Sequence, residues 1–156
     1  MDADDRAGAD GVDAHARRPE DITRLFVEFS NAGDADAVAG LYEEDAVMAF
    51  PPGQVTRGRA AIRRLWAAVL AERPRFAQEE PAPALIAGDL ALTATAAKDG
   101  KGVRVQVARR QPDGRWLRVL DHPELDPAAL AGAGAASGGG ARTSSPRLSG
   151  GAPGSS

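Results

Sequence analysis

The spacing of apolar residues near the start of the chain predicts a helix with one buried face. Its apolar positions recur at intervals of three and four residues: Ile22, Leu25, Phe26 and Phe29. Pro19 suits a first helical turn, and Gly33 can adopt the left-handed conformation that closes a helix. We therefore expect this first helix to run from Pro19 to about residue 31.

A second, shorter helix is predicted directly after the first. Asp34 is a suitable N-terminal cap, and the apolar face of this helix would comprise Val38, Leu41 and Tyr42. Three acidic residues follow, and the negative end of a helix disfavours them: Glu43, Glu44 and Asp45. We interpret this triplet as a solvated helix end, because no second group with metal-ligand spacing accompanies it.

The next pattern predicts one strand and a third helix. Residues 46–50 are apolar on both alternating faces, which is typical of a strand covered on both sides, and Pro51-Pro52-Gly53 must end it. After Gly58 the pattern becomes helical, and it ends before Pro74. The wide apolar stripe of this helix comprises Ile62, Leu65, Trp66, Val69 and Leu70.

From residue 75 onward the apolar period changes to two, which indicates strands. We expect four strands, separated by turns that contain Gly and Asp, near residues 75–87, 90–97, 102–111 and 115–122. Helices gathered ahead of an antiparallel meander predict an α+β fold. In this fold a curved antiparallel sheet wraps around three N-terminal helices.

One domain is expected at residues 17–125, with a disordered segment on each side. Residues 1–16 carry five Asp against one Arg, and 25 of the 31 residues in 126–156 are Ala, Gly, Ser or Pro. Neither end buries enough apolar area to offset the entropy of ordering it. All seven aromatic residues lie between residues 26 and 116, so the core is expected there.

Composition excludes several classes of function. The chain has no Cys and two His, so we expect neither a metal site nor another cofactor. Residues 17–125 hold 16 basic and 16 acidic side chains, a balance that argues against binding of nucleic acid. No apolar run approaches the roughly 20 residues of a membrane span, and the acidic start lacks the apolar segment of a secretory signal. We therefore expect a cytoplasmic protein that does not bind membranes.

Three stretches of the sequence are informative together: NAGDADAVAGLYEEDAVMAFPPG, RGRAAIRRLW and RRQPDGRWLRVLDHP. In this order they resemble the nuclear transport factor 2-like (NTF2-like) superfamily, and within it the SnoaL-like and ketosteroid isomerase-related proteins of bacteria. The resemblance spans about residues 20–124. It implies a cone-shaped α+β barrel with a pocket at its wide end. Many members dimerise through the outer face of the sheet, so it also implies a homodimer.

The resemblance marks three positions where the isomerases carry a tyrosine, an aspartate base and a second, protonated acid. Here these positions fall on Phe26, Phe50 and Gln106, although a β-bulge in the meander would reverse the face of Gln106. A phenyl ring neither donates to an oxyanion nor accepts a proton. Loss of the base alone removes a contribution of about 10²- to 10⁴-fold to the rate. We therefore expect no isomerisation by that mechanism, and a more apolar pocket.

The other pocket candidates each have two interpretations. Tyr42, Trp66 and Trp116 are core residues, or alternatively a donor and two stacking surfaces in the pocket, and Met48 is a further apolar candidate. Asp121 and His122 end the last strand, where they make surface contacts or supply a polar group to the pocket. Adjacent strand residues point to opposite faces, so these two are not expected to form a dyad.

The strand at residues 102–111 has two unlike faces. Val103, Val105 and Val107 share one face, and the other carries Arg104, Gln106, Ala108 and Arg110. If the valines face outward, they form an apolar strip that calls for a partner subunit. If the arginines face outward, the sheet is half-solvated.

These features leave three functions open. The first is a protein that holds a small, mostly apolar molecule in the conical pocket without transforming it. The second is a SnoaL-like isomerase or cyclase that uses other polar groups, such as Tyr42, Gln106, Asp121 or His122. The third is a dimeric module that binds a protein partner.

Overall fold

The computed structural model describes residues 14–100 and 102–130. In chain order the elements are α1 (Asp21–Asn31), α2 (Ala35–Ala39), β1 (Tyr42–Met48), β2 (Thr56–Arg57), α3 (Arg59–Ala71), β3 (Leu85–Ala87), β4 (Leu90–Ala96), β5 (Val103–Arg110) and β6 (Trp116–Leu125).

The predicted first and third helices are confirmed as α1 and α3. Beyond α1, Gly33 has a φ of 73°, the left-handed conformation expected where a helix closes. Asp34 caps α2 as predicted, because its carboxylate accepts a hydrogen bond from the backbone N–H of Ala37 at 2.9 Å. From its predicted apolar stripe, α3 buries Ile62, Trp66 and Leu70.

The prediction that Tyr42 lies on the second helix is wrong. α2 ends at Ala39, and Tyr42 is the first residue of β1. The carbonyl of Leu41 accepts a hydrogen bond from the N–H of Arg118 in β6 at 2.8 Å. Pairing with a strand distant in sequence therefore overrides the local helical pattern. For the same reason the strand predicted at residues 46–50 begins earlier than expected, and it ends at Met48.

The acidic triplet is consequently not a helix end, because Glu43, Glu44 and Asp45 lie within β1. Glu44 and Asp45 are exposed to solvent. Glu43 is half-buried; its carboxylate lies 3.2 Å from Nε of Arg109 and accepts a hydrogen bond from Nε2 of Gln111 at 2.8 Å. Each of these three acidic side chains is thus either exposed to solvent or paired with a polar neighbour, as is usual at an exposed part of a strand.

The strand predicted at residues 75–87 is wrong over most of its length, because only Leu85–Ala87 pairs as β3. Pro74, Pro81 and Pro83 have no N–H to donate and interrupt a ladder. Residues 74–84 run instead without regular structure, and we call them the 74–84 segment. The remaining predicted strands correspond to β4, β5 and β6.

All six strands form one sheet in the order β2-β1-β6-β5-β4-β3. β1 pairs with β6 in parallel, and every other neighbouring pair is antiparallel. The sheet is curved, does not close, and wraps around the helices, which confirms the predicted α+β fold. The short β2 and the parallel pair were not predicted, because pairing between distant segments leaves no local pattern in the sequence.

The core lies between the inner face of this sheet and the helices. Its largest fully buried side chains come from both layers: Tyr42, Leu25, Met48, Ile62, Val38 and Thr95. Ala16, just before the predicted start of the domain, is also buried, and its carbonyl accepts a hydrogen bond from the N–H of Trp116 at 2.9 Å. Residues preceding α1 therefore contribute to the core.

The outer face of the sheet carries an apolar row. Gln106 and Ala108 of β5 are buried on the inner face, so the valines of this strand face outward. Cross-strand pairing aligns one valine with apolar neighbours on the other strands, in the order Leu85, Leu92, Val107, Leu120 and Val47. We call these five residues the outer row. Leu85, Leu92 and Leu120 are 71%, 43% and 50% exposed, respectively.

Residues 127–130 form a helical turn after β6. The predictions of disorder for residues 1–13 and 131–156 lie outside the described residues. Within the described ranges, every helix is too short or too polar to cross a membrane.

Candidate functional site

A cavity of about 290 Å³ lies between the helices and the inner face of the sheet. Its walls come from α1, α3, the 74–84 segment, β5 and β6. Because a water molecule occupies about 30 Å³ in the liquid, this space holds a molecule of roughly ten non-hydrogen atoms. Four larger hollows among the described residues, with volumes from about 310 to about 640 Å³, are all more open to solvent. The smaller cavity is therefore the better candidate for a binding site.

One wall of the cavity is aromatic. The ring of Phe26 meets the rings of Trp66 and Phe76 edge-on, with centroids 5.0 and 5.6 Å apart. Behind this wall, Phe50 stacks on Trp66 with centroids 5.8 Å apart and an angle of 3° between the planes. We call Phe26, Trp66 and Phe76 the aromatic wall. These contacts give it the rigid geometry that offset and edge-to-face ring pairs favour.

A buried carboxylate, that of Asp121, also borders the cavity. Oδ2 of Asp121 accepts a hydrogen bond from the hydroxyl of Tyr42 at 2.6 Å, and Oδ1 accepts one from Nε2 of Gln106 at 3.1 Å. Nη1 of Arg118 lies 3.5 Å from Oδ2. Tyr42 is fully buried, and each of the other three residues is 4% exposed. We call Tyr42, Gln106, Arg118 and Asp121 the Asp121 network.

A β-bulge in β6 brings Arg118 and Asp121 to the same side of the sheet. In a regular strand, residues three apart point to opposite faces. Here Val107 pairs with Leu120 while the next residue, Ala108, pairs with Arg118, so β6 holds one extra residue at this point. The bulge lies in β6 and leaves Gln106 opposite Asp121, on the inner face.

Arg118 supplies the positive charge of the network. Burial lowers the pKa of its guanidinium, but the negative charge of Asp121 and the hydrogen bond to Tyr42 outweigh burial and hold the pKa above its ordinary value. The guanidinium carbon lies 5.3 Å from the ring centroid of Phe26 and 5.6 Å from that of Tyr42. Cation–π contacts on two rings therefore fix a charged group at the edge of the aromatic wall.

Tyr42 acts as a hydrogen-bond donor in this network. Burial raises the pKa of its hydroxyl far above the ordinary value; the charge of Asp121 adds to this effect, and Arg118 opposes it. The hydroxyl therefore keeps its proton at neutral pH and directs it to Asp121.

The rim of the cavity is held by a second arginine. Nε and Nη2 of Arg104 donate to the two oxygens of Glu79 at 2.7 and 3.2 Å, and Nη2 also donates to Asp99 at 3.1 Å. The hydrogen bond with Glu79 raises the pKa of Arg104, although partial burial opposes the effect. These bonds tie the 74–84 segment to β5 and to the turn before it.

The 74–84 segment is also tied to α1. Nδ2 of Asn31 donates to the carbonyl of Phe76, and the N–H of Phe76 donates to Oδ1 of Asn31, each at 2.9 Å. The carboxylate of Glu20 accepts a hydrogen bond from the N–H of Ala84 at 3.0 Å. Side chains at both ends of α1 thus replace the ladder that the prolines forbid, and they position the ring of Phe76 in the aromatic wall.

Four of the predicted site residues border the cavity: Phe26, Trp66, Gln106 and Asp121. Three others lie directly behind its walls. Tyr42 donates to Asp121, and its hydroxyl lies 3.8 Å from Sδ of Met48. Phe50 lies behind Trp66.

Trp116 and His122 lie elsewhere. Trp116 borders a separate hollow near residues 14–16. His122 pairs with Val105, and its Nδ1 is buried without a hydrogen-bond partner among the described residues. Asp121 and His122 lie on opposite faces of β6, as expected, and form no dyad.

Arg118 and Phe76 are the most important of the cavity residues that were not predicted from the sequence. A period of two places Arg118 on the face opposite Asp121, and the bulge that reverses this relation has no sequence signature. Phe76 fell within a strand that does not form. For Arg118, the sequence does contain one signal: this charged residue stands between the apolar Leu117 and Val119, in a strand with a buried face.

The arrangement offers an apolar surface for a flat molecule, N–H donors from Arg118 and a buried carboxylate at Asp121. No three His, Asp or Glu side chains of the described residues are grouped closely enough to hold a metal ion.

Comparison with known proteins agrees with this fold. Residues 23–119 match the sequence family of the SnoaL-like domain. An NTF2-like protein with a cystatin-like fold from Novosphingobium aromaticivorans is 24% identical, with a TM-score of 0.53 over 73% of this chain and 84% of that chain. A ketosteroid isomerase-like protein from Erwinia carotovora atroseptica is 18% identical, with a TM-score of 0.54 over 66% of this chain and 89% of that chain.

A protein of unknown function from Mycobacterium tuberculosis is 23% identical, with a TM-score of 0.52 over 66% of each chain. No curated protein matches the chain in sequence. The family match covers more than half of the 156 residues, and the resemblance seen in the sequence is confirmed. The chain belongs to the SnoaL-like domain family, within the NTF2-like superfamily.

Proposed function

We propose that the protein holds a small, mostly apolar molecule in the cavity of about 290 Å³. One observation carries the proposal: a single space is bordered both by the aromatic wall and by three residues of the charged Asp121 network. Sites for small molecules are typically apolar hollows with a few placed polar groups. A buried ion pair contributes little to stability compared with apolar packing, so its presence beside a cavity favours a binding role.

The positions that isomerases use for catalysis support binding rather than ketosteroid isomerisation. Phe26 borders the cavity and Phe50 lies behind Trp66, and a phenyl ring at either place can neither donate nor accept a proton. Gln106 borders the cavity but donates its amide to Asp121. With Phe26 and Phe50 at the other two positions, the tyrosine donor and the aspartate base of that mechanism are both replaced.

A substitution that blocks the cavity tests the proposal. Ala77 is exposed and borders the cavity, so Ala77→Phe should occupy part of the space without disturbing the core. Suitable probes are trans-cinnamyl alcohol, trans-cinnamamide and trans-cinnamate, which share a flat apolar body. Binding is read from the ¹H–¹⁵N resonance of the Trp66 indole, with Trp116 as an internal reference. We expect Ala77→Phe to weaken binding by at least about tenfold, or about 1.4 kcal/mol.

Ala68→Phe is the matched control. It adds the same ring on the exposed side of α3, away from the cavity, and should bind the probes as the wild type does. Two outcomes contradict the proposal. In one, no probe moves the Trp66 resonance of the folded wild type; in the other, Ala77→Phe binds all three probes unchanged.

A second candidate function is acid–base catalysis on the bound molecule. The position of Asp121 favours it, because this buried carboxylate borders the cavity and is oriented by Tyr42 and Gln106. A suitable probe is 2-tetralone, a flat ketone with acidic C–H bonds. If Asp121 accepts a proton, the wild type speeds exchange of these protons with deuterated water, and Asp121→Asn slows the exchange by about 10²- to 10⁴-fold. If the protons of 2-tetralone exchange at the uncatalysed rate when the wild type is saturated with it, acid–base catalysis by Asp121 is excluded.

We also propose that two copies of the chain pair through the outer row. Exposed apolar patches of this kind mark interfaces, and three members of the row are more than 40% exposed. In a twofold dimer the same patch contacts itself, so a continuous row across five strands can pack against its own copy. This orientation leaves the cavity, on the inner face, open to a ligand.

A further inference from the structure

Of the three arginines that border the cavity, Arg104 and Arg118 differ in how their guanidinium groups are paired. Arg104 donates from Nε and Nη2 to both oxygens of Glu79, at 2.7 and 3.2 Å. This is the side-on geometry in which two parallel N–H bonds hold one carboxylate. The rim of the cavity thus contains a complete arginine–carboxylate pair.

The equivalent edge of Arg118 is unoccupied. Within the described residues, the side chain of Arg118 makes one hydrogen bond, from Nη1 to the hydroxyl of Tyr42 at 3.3 Å, and Asp121 also approaches Nη1. Nε and Nη2 donate to no atom of these residues, and protein atoms do not seal them off completely. Arg118 borders the cavity although its side chain is only 5% exposed. The edge formed by Nε and Nη2 is therefore the part of Arg118 that is available to a ligand in the cavity.

The charges around the cavity favour an anion. Four basic residues border it against three acidic ones: Arg75, Lys98, Arg104 and Arg118, against Glu79, Asp99 and Asp121. A ligand with one negative charge would balance this set. Asp121 does not occupy the free edge of Arg118, because its two oxygens are held by Tyr42 and Gln106. Hydrogen bonds between two charged groups are among the stronger ones, so a ligand carboxylate at this edge would be bound firmly.

We infer that the cavity takes a flat aromatic or conjugated carboxylic acid. Its carboxylate lies side-on against Nε and Nη2 of Arg118, as Glu79 lies against Arg104, and its apolar body lies against the aromatic wall. The guanidinium of Arg118 lies 5.3 Å from the ring of Phe26, so the two contacts are adjacent. This inference rests on the proposed function and adds the chemical class of the ligand.

The test compares the affinities of the three cinnamyl probes for the full chain at neutral pH. All share the same flat body and differ in the polar end, which is a carboxylate, an amide or an alcohol. We expect cinnamate to bind at least about tenfold more tightly than the alcohol or the amide, because hydrogen bonds to a charged group are the stronger ones. The Trp66 indole resonance should move with each probe while that of Trp116 stays in place.

Arg118→Lys keeps the positive charge and removes the two parallel N–H groups that can hold a carboxylate side-on. We expect it to weaken cinnamate binding about tenfold and to change alcohol binding less than about threefold. If this variant does not fold, a paired variant with Arg118→Met and Asp121→Asn removes both charges together and should lose the preference for cinnamate. Arg64→Met, on the exposed side of α3, is the control and should retain the preference.

The binding results distinguish failure of the carboxylate inference from failure of the proposed function on which it rests. If alcohol, amide and cinnamate bind equally well, the cavity binds apolar molecules but the carboxylate inference is overturned. It is also overturned if the folded Arg118 variants keep the full preference for cinnamate. If no probe moves the Trp66 resonance, the proposed function fails as well.

Discussion

Tyr42 and Arg118 both approach Oδ2 of Asp121 at the cavity, and the burial of Tyr42 makes this arrangement sensitive to pH. Tyr42 is the only tyrosine in the sequence, and its hydroxyl is fully buried with a 2.6 Å hydrogen bond to Asp121. Burial first, and then the charge of Asp121, raise the pKa of this hydroxyl. Ionisation of one residue can therefore report directly on the integrity of the network.

We predict a loss of stability at alkaline pH that depends on Tyr42. An unfolded tyrosine ionises near pH 10, whereas folded Tyr42 keeps its proton. Its contribution to stability is therefore complete below about pH 10. Above that pH it decreases, by up to about 1.4 kcal/mol per pH unit. Tyrosinate absorbance should appear together with unfolding, and Tyr42→Phe should remove this part of the pH dependence measured by urea unfolding. Ionisation of the folded protein near pH 10 would show that Tyr42 is not enclosed.

Among the helices and strands, local sequence signals gave correct predictions, whereas pairing between distant segments could not be predicted. The 3.6-residue period located α1 and α3, and Gly33 and Asp34 behaved as predicted from their local chemistry. Tyr42 was misplaced because its strand is paired by β6, far along the chain. The cavity residues Phe26, Trp66, Gln106 and Asp121 could be identified from pattern and resemblance. Arg118 could not be placed at the cavity from the alternation of its strand, because a one-residue bulge in β6 decides on which face of the sheet it lies.

The 74–84 segment is expected to depend on Asn31. Asn31→Ala removes both hydrogen bonds to the backbone of Phe76 and leaves its N–H and carbonyl without these partners. We predict that this lowers the free energy of unfolding by about 1–3 kcal/mol, measured by urea denaturation. Gln78→Ala is the control, because that exposed side chain makes only a 3.4 Å contact with the carbonyl of Arg24, and it should change stability by less than about 0.5 kcal/mol. Equal effects of the two substitutions would argue against this role for Asn31.

In the molecule as a whole, the two faces of the sheet carry different kinds of side chain. The inner face carries Gln106, Arg118 and Asp121 beside the cavity, and the outer face carries the outer row. Membership of the SnoaL-like domain family identifies the fold, whereas ligand and assembly depend on these side chains. A ligand-binding dimer would use both faces without conflict.

The dimer proposal predicts a specific effect of a charge within the outer row. Leu120→Asp places a charge on a residue that is 50% exposed, so it should leave the monomer folded but prevent pairing. Sedimentation velocity should show a dimer for the wild type and a monomer for this variant. Val55→Asp, at a site 56% exposed outside the outer row, should remain dimeric. A monomeric wild type at all accessible concentrations would contradict the proposal.

We propose above that the cavity bordered by the aromatic wall and the Asp121 network is a ligand site. A crystal structure of the chain grown with saturating trans-cinnamate tests it most directly. We predict that the ring lies against Phe26 and Trp66, and that both carboxylate oxygens lie within hydrogen-bond distance of Nε and Nη2 of Arg118. An empty cavity, or cinnamate bound at another surface, would contradict the claim.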